Sequence, residues 1–141
     1  MGDLTKNFSR SEFACSCECG FDTVDIELLP AMQHMADHFS EKYDCEIWVD
    51  ITGGNRCHAF NLTLVLKGEA AENSQHVFAR ANDFKVFKVW YKNGKKKRGK
   101  QINSKEVADF FDEHYYHFGI GVYKNRNHVD SRSTGKARWT I

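Results

Sequence analysis

His76, Asp83 and His128 are the residues whose types could together hold a divalent metal for hydrolytic chemistry. Catalytic zinc takes three protein ligands from imidazole and carboxylate groups and keeps a fourth position for water. Bound zinc lowers the pKa of that water to about 7 and polarises a peptide carbonyl. Spacing alone is a thin signal for such a site. His76 and Asp83 are seven apart, and on one straight strand an odd interval puts two side chains on opposite faces. They converge if His76 lies in a loop entered through Asn73-Ser74-Gln75 and Asp83 lies on the strand that follows. His128 opens a short predicted strand. Alternation there places His128 and Asp130 on one face and Val129 on the other.

Other groupings carry weaker chemistry. The five cysteines are Cys15, Cys17, Cys19, Cys45 and Cys57. An odd count argues against a secreted disulfide framework. Cys15-x-Cys17-x-Cys19 is tighter than a zinc knuckle and has no obvious fourth ligand, so the favoured reading is reduced structural thiols, with a second metal or redox chemistry as the alternatives. His34 and His38, four apart on a predicted helix, have metal-compatible spacing but lie off its apolar stripe, as surface histidines do. Lys95 to Lys100 carries five basic residues around one glycine. That run reads as a solvated hairpin tip. A contact with anionic wall polymer or nucleic acid is the sharper reading, weakened because no aromatic residue is interleaved.

The elements that must position these residues follow from periodicity. Asn7 to Phe13 reads as a cap and short helix, with Ser9 and Glu12 at capping-box spacing. A helix is predicted from about Asp25 to Tyr43, with Leu29, Met32, Ala36, Phe39 and Tyr43 on one stripe. Glu46 to Thr52 alternates as a strand. Cys57 to Leu66 reads as a helix and Asp83 to Tyr91 as a strand. Asn93-Gly94 marks a turn. Ile102 opens a return strand or leads into a helix capped by Ser104 and running from Lys105 to about His117. Short strands are predicted at Gly119–Tyr123, His128–Ser131 and Ala137–Thr140. Helices come first and strands cluster later, giving an α+β class, a small, mostly antiparallel sheet with helices packed against it.

The chain has 141 residues, which suits a single domain spanning 1–141. Apolar residues make up 41% and charged residues 28%, the profile of an ordinary globular protein. Twenty basic residues face nineteen acidic ones, so net charge supplies no drive toward nucleic acid or an anionic membrane. No apolar run approaches the roughly 18 residues of a membrane span. Met1 to Phe13 is polar and lacks the apolar core of a secretory signal. The expectation is synthesis in the cytoplasm, with any export by another route.

Ser74-Gln75-His76-Val77-Phe78-Ala79-Arg80-Ala81-Asn82-Asp83 resembles the S-x-H-x-x-G-x-A-x-D signature of the zinc D-alanyl-D-alanine carboxypeptidase family, whose fold is shared by the hedgehog signalling domain. Gly54-Asn55-Arg56-Cys57 with Asn61 is similar to that family's G-Y-R-C…N segment. Gly119-Ile120-Gly121-Val122-Tyr123 followed by His128-Val129-Asp130 is similar to its G-I-G-x-Y…H-V-D segment. Phe8 to Phe13 and Gly135 to Trp139 resemble stretches of small phage and bacterial members. The resemblance implies zinc held by His76, Asp83 and His128, and a substrate carboxylate held by Arg56, whose planar fork suits two parallel hydrogen bonds.

Two departures stand out. Ala79 replaces the family glycine, and alanine is strained if that position needs a positive φ. Asn125 stands where many relatives place an acidic base three residues before the last histidine. Asp130 is the first substitute for that base, or else it orients a zinc ligand from behind. His114 and His117 are weaker substitutes. The implied activity is zinc-dependent hydrolysis of peptidoglycan stem peptides or cross-links by a monomer acting at the bacterial cell wall, either as a phage endolysin released through a membrane lesion or as a D,D-carboxypeptidase. The alternative is a non-catalytic zinc-containing or wall-binding module of the same fold.

Overall fold

The computed structural model describes residues 2–141. A 3-10 turn at Arg10–Phe13 leads into α1 (Leu28–Tyr43), β1 (Ile47–Gly53) and α2 (His58–Leu66). A second 3-10 turn, Gln75–Phe78, precedes β2 (Ala81–Lys92), β3 (Lys95–Gln101) and α3 (Ser104–His114). The chain closes with β4 (Gly119–Val122), β5 (Asn127–Asp130) and β6 (Ala137–Thr140). The strands form one sheet in the order β1-β2-β5-β4-β6, with β3 paired along the distal half of β2. Every pairing is antiparallel except β4 with β6. The architecture is the expected α+β arrangement. No helix among the described residues is long and apolar enough to cross a membrane.

Period-two alternation divides the sheet into two working faces. Phe84 and Val86 of β2, Val129 of β5 and Ile120 of β4 point into the core, against Met32, Phe39, Val107 and Phe111 of the two long helices. The alternate positions, Asp83, His128, Asp130, Gly119 and Gly121, therefore lie on the other face, away from α1 and α3. A sheet packed on one side only leaves its second face free for chemistry.

Several boundaries differ from the sequence reading, each for a local reason. The first long helix begins at Leu28, because the Asp25 carboxylate accepts the N–H groups of Glu27 (3.1 Å) and Leu28 (2.9 Å) and ends the preceding loop. Leu28 is fully buried, whereas Leu29 and Tyr43 pack only at the edge of the core. The basic run Lys95–Lys100 is the return strand itself, not a hairpin tip. Asn93 (φ 53°) and Gly94 (φ 74°) reverse the chain just before it, as a two-residue hairpin demands. Ile102 follows that strand and is buried. Asn103, not Ser104, caps α3, accepting the Lys105 N–H at 2.8 Å. The helix ends at His114, since Tyr115 leaves the helical region.

Ala79 ends the second 3-10 turn with φ 58° and ψ 28°. A left-handed residue with a Cβ costs about 1–2 kcal/mol. The strain falls where the chain must reverse between His76 and the start of β2. Gly121 is constrained in the opposite sense, by space: a Cβ there would lie 2.5 Å from the Trp139 ring. Gly121→Ala should therefore destabilise the fold by about 1–3 kcal/mol through overpacking, read as a lower urea midpoint at unchanged slope.

Candidate metal centre

Three separate elements deliver the candidate ligands. His76 sits in the Gln75–Phe78 turn, Asp83 on β2 and His128 on β5. Antiparallel pairing places Asp83 opposite His128, so the two side chains project from the same face as neighbours. His76 Nε2 lies 3.3 Å from Asp83 Oδ2, and His128 Nδ1 lies 2.9 Å from Asp83 Oδ1. The three ligand atoms all fall within 4.8 Å of one another. Zinc with nitrogen and oxygen ligands at about 2.0–2.1 Å spans a tetrahedral edge of roughly 3.4 Å, so the set needs only small adjustment to close on an ion.

The groups behind the ligands fix which nitrogen faces inward. His76 Nδ1 donates to the Gly54 carbonyl at 2.6 Å. A carbonyl only accepts, so the proton belongs on Nδ1 and the Nε2 lone pair is free for metal. His128 Nε2 lies 2.7 Å from Asp130 Oδ2, leaving Nδ1 toward the cluster. Asp130 is fully buried and also receives the Arg132 Nε (2.7 Å), Nη2 (2.7 Å) and backbone N–H (3.2 Å). Partners of this kind orient metal-bound imidazoles and raise their basicity.

Electrostatics follow from these contacts. Burial pushes the Asp83 carboxyl up, but hydrogen bonds from His128 and His76 outweigh it and hold the group well below the usual carboxylate range. Asp130 behaves likewise: burial raises its pKa, while Arg132 and His128 bring it far below normal. Burial opposes the imidazolium of His128, yet hydrogen bonds to Asp130 and Asp83 win and raise its pKa.

The remaining sequence candidates divide. Arg56 stands at the rim, its Nη2 3.6 Å from Asp83 Oδ2 and its Nη1 3.5 Å from the Asn61 side-chain oxygen. Asp130 stands beside His128 as alternation required, but both oxygens are engaged and none is exposed. The geometry supports its orienting role and leaves it no free lone pair for a proton from the cleft. Asn125 is exposed in the bend between β4 and β5. His114 packs at a tilt against Phe110 and His117 faces Glu27, and neither lines the cleft. His34 and His38 pack against Phe110 of α3. Lys96 and Arg98 of the basic run lie against Glu46 and Asp50.

The cluster opens onto a cleft of about 380 Å³ whose walls include Glu69, Tyr123, Arg126, Arg132 and Trp139. Arg132 was within reach of sequence reasoning, since 128, 130 and 132 share a parity. Glu69 carried no local signal, because it lies in the irregular segment after α2.

The chain belongs to the Peptidase M15 family, the zinc D-alanyl-D-alanine carboxypeptidases, whose sequence pattern it matches over residues 6–130. It is therefore a peptidase by class, on the α+β fold of that family. Comparison with curated proteins and with solved structures finds no match.

Metal binding at Nδ1 of His128 requires that nitrogen to lose its proton, so zinc affinity should fall as pH drops below the raised pKa of His128 and binding should release protons. Calorimetry in buffers of different ionisation enthalpy measures that release. Asp130→Ala should weaken zinc binding about 10–100-fold while leaving the three ligands in place, as read by competition with a chromophoric chelator.

Proposed function

We propose that this chain hydrolyses an amide bond in the stem peptides or cross-links of bacterial peptidoglycan, with zinc held by His76, Asp83 and His128. The observation that carries the reading is the opening of this ligand cluster onto a cleft walled by Arg56, Arg126 and Arg132. Wall peptides carry carboxylates at their C-termini and on D-glutamate, and guanidinium groups hold carboxylates in two-point contacts. Arg132 is committed to Asp130, which leaves Arg56 and Arg126 to meet substrate. Arg126 is steadied over the Tyr123 ring at 4.3 Å. A cleft of this volume suits a short peptide rather than a folded protein.

Zinc, when bound, supplies a Lewis acid for the scissile carbonyl and a water acidic enough to ionise near neutral pH. The chain's own residues do the rest. Arg56 fixes a substrate carboxylate beside the cluster, and Asp130 with Arg132 holds the His128 ring in its productive orientation. Glu69 is the one carboxylate besides Asp83 on the cleft wall among the described residues, and it makes no side-chain hydrogen bond or ion pair there. It is the group we assign to take the proton from the attacking water and return it to the leaving amine. We place the action at the bacterial wall, reached through a membrane lesion as by a phage endolysin, and performed by a monomer.

Asn125 favours a second reading, a zinc-containing module that does not cleave. Incubating zinc-loaded protein with purified peptidoglycan and weighing the released peptides separates the two. Cleavage products support the enzyme, and intact substrate at several pH values with zinc confirmed bound supports the module. Glu69→Gln should lower kcat at least about 100-fold, since general-base help is worth about 10²–10⁴ in rate. Arg56→Lys keeps the charge but loses the fork. It should raise KM more than it lowers kcat.

A further inference from the structure

We propose that Cys15, Cys17, Cys19 and Cys57 form a second zinc site, a closed four-thiolate centre that staples the N-terminal segment to the loop bearing Arg56. The four Sγ atoms all lie within 4.8 Å of one another. Cys15 Sγ is 3.4 Å from Cys17 Sγ, which is 3.6 Å from Cys57 Sγ. Zinc–sulfur bonds of about 2.3 Å imply a tetrahedral sulfur–sulfur edge of about 3.8 Å. These separations match that edge, and they are far from the roughly 2.05 Å of a disulfide.

Backbone geometry explains how so tight a run supplies three ligands. Glu18 N–H donates to the Cys15 carbonyl at 3.1 Å, and Cys15 N–H donates to the Phe21 carbonyl at 2.9 Å. Glu18 (φ 64°) and Gly20 (φ 90°) both take left-handed conformations. The chain thus curls around one point, and Cys17 and Cys19 face it from the exposed side. The fourth ligand arrives from the distant start of α2. Backbone amides point at the sulfurs: Cys57 N–H lies 3.4 Å from Cys15 Sγ, and Phe60 N–H lies 3.4 Å from Cys57 Sγ. Four sulfur ligands leave no open position for water, which marks the site as structural rather than catalytic.

The staple falls beside the peptidase centre. Asn55 N–H donates to the Phe13 carbonyl at 2.9 Å, and Arg56 N–H donates to the His76 carbonyl at 3.0 Å. Gly54 supplies the carbonyl that orients His76. Tying Cys57 to residues 15–19 therefore holds the loop that aims His76 and presents Arg56.

The test is elemental analysis of the full chain purified with zinc, together with thiol titration. About two zinc ions per chain are expected, falling to about one in a Cys17→Ser/Cys19→Ser double variant and to about one in His76→Ala. In the native zinc-loaded protein the exposed Cys17 and Cys19 should resist a thiol reagent until a chelator is added. The thiol measurement uses the unaltered chain, so it decides the matter even if the double variant does not fold. Any of four results overturns the proposal: zinc content unchanged by the serine variant, immediate reaction of Cys17 and Cys19 in zinc-loaded protein, an intact mass short by the two hydrogens of a disulfide, or iron in place of zinc.

Discussion

The antiparallel register between β2 and β5 is the constraint on which the site depends. It sets Asp83 against His128, Ala81 against Asp130 and Phe84 against Asn127. A slip of one residue would turn Asp83 into the core and bring Phe84 out to the cleft, because side chains alternate strictly. Hydrophobic burial opposes that slip: Phe84, Val86 and Val129 are at most 1% exposed. The core thus defends the ligand geometry without touching it.

Around that register, the two candidate imidazole ligands are each oriented by a group behind them. The Gly54 carbonyl accepts from His76, Asp130 braces His128, and Arg132 neutralises Asp130. A buried carboxylate without such a partner would be strongly destabilising. The glycines of β4 make room for this arrangement. A Cβ on Gly119 would lie 2.5 Å from Asp130 Oδ2, and one on Gly121 would press on Trp139, whose ring sits 4.9 Å from that of His128. Backbone bareness on one strand is what lets bulky, charged groups gather on the next.

The departures from the family pattern have physical consequences of different weight. Ala79 does occupy a left-handed position, so the turn keeps its shape and carries the strain. Asn125 lies on an exposed bend, and no acidic group replaces it on β5 with a free oxygen. The carboxylate on the cleft wall that makes no side-chain hydrogen bond is Glu69, which lies on a loop with no regular structure and so carries no periodic signal.

The residues of the candidate metal centre could be singled out in the sequence because their types and ordered motifs are local properties. So was the pairing of His128 with Asp130, since a strand's two-residue period needs only local backbone geometry. Helix and strand interiors followed from apolar spacing in the same way. The ends of elements did not, because caps such as Asp25 and Asn103 compete with neighbours of nearly equal propensity. What only the tertiary structure decided is how distant segments meet: Arg132 closing on Asp130, Glu69 reaching the cleft wall, and Cys57 completing a cluster begun some forty residues earlier. Those encounters depend on loop paths and sheet order, which no short window of sequence encodes. The three candidate ligands His76, Asp83 and His128 could be named from their types, but their convergence required the register of β2 with β5 and the strained turn at Ala79.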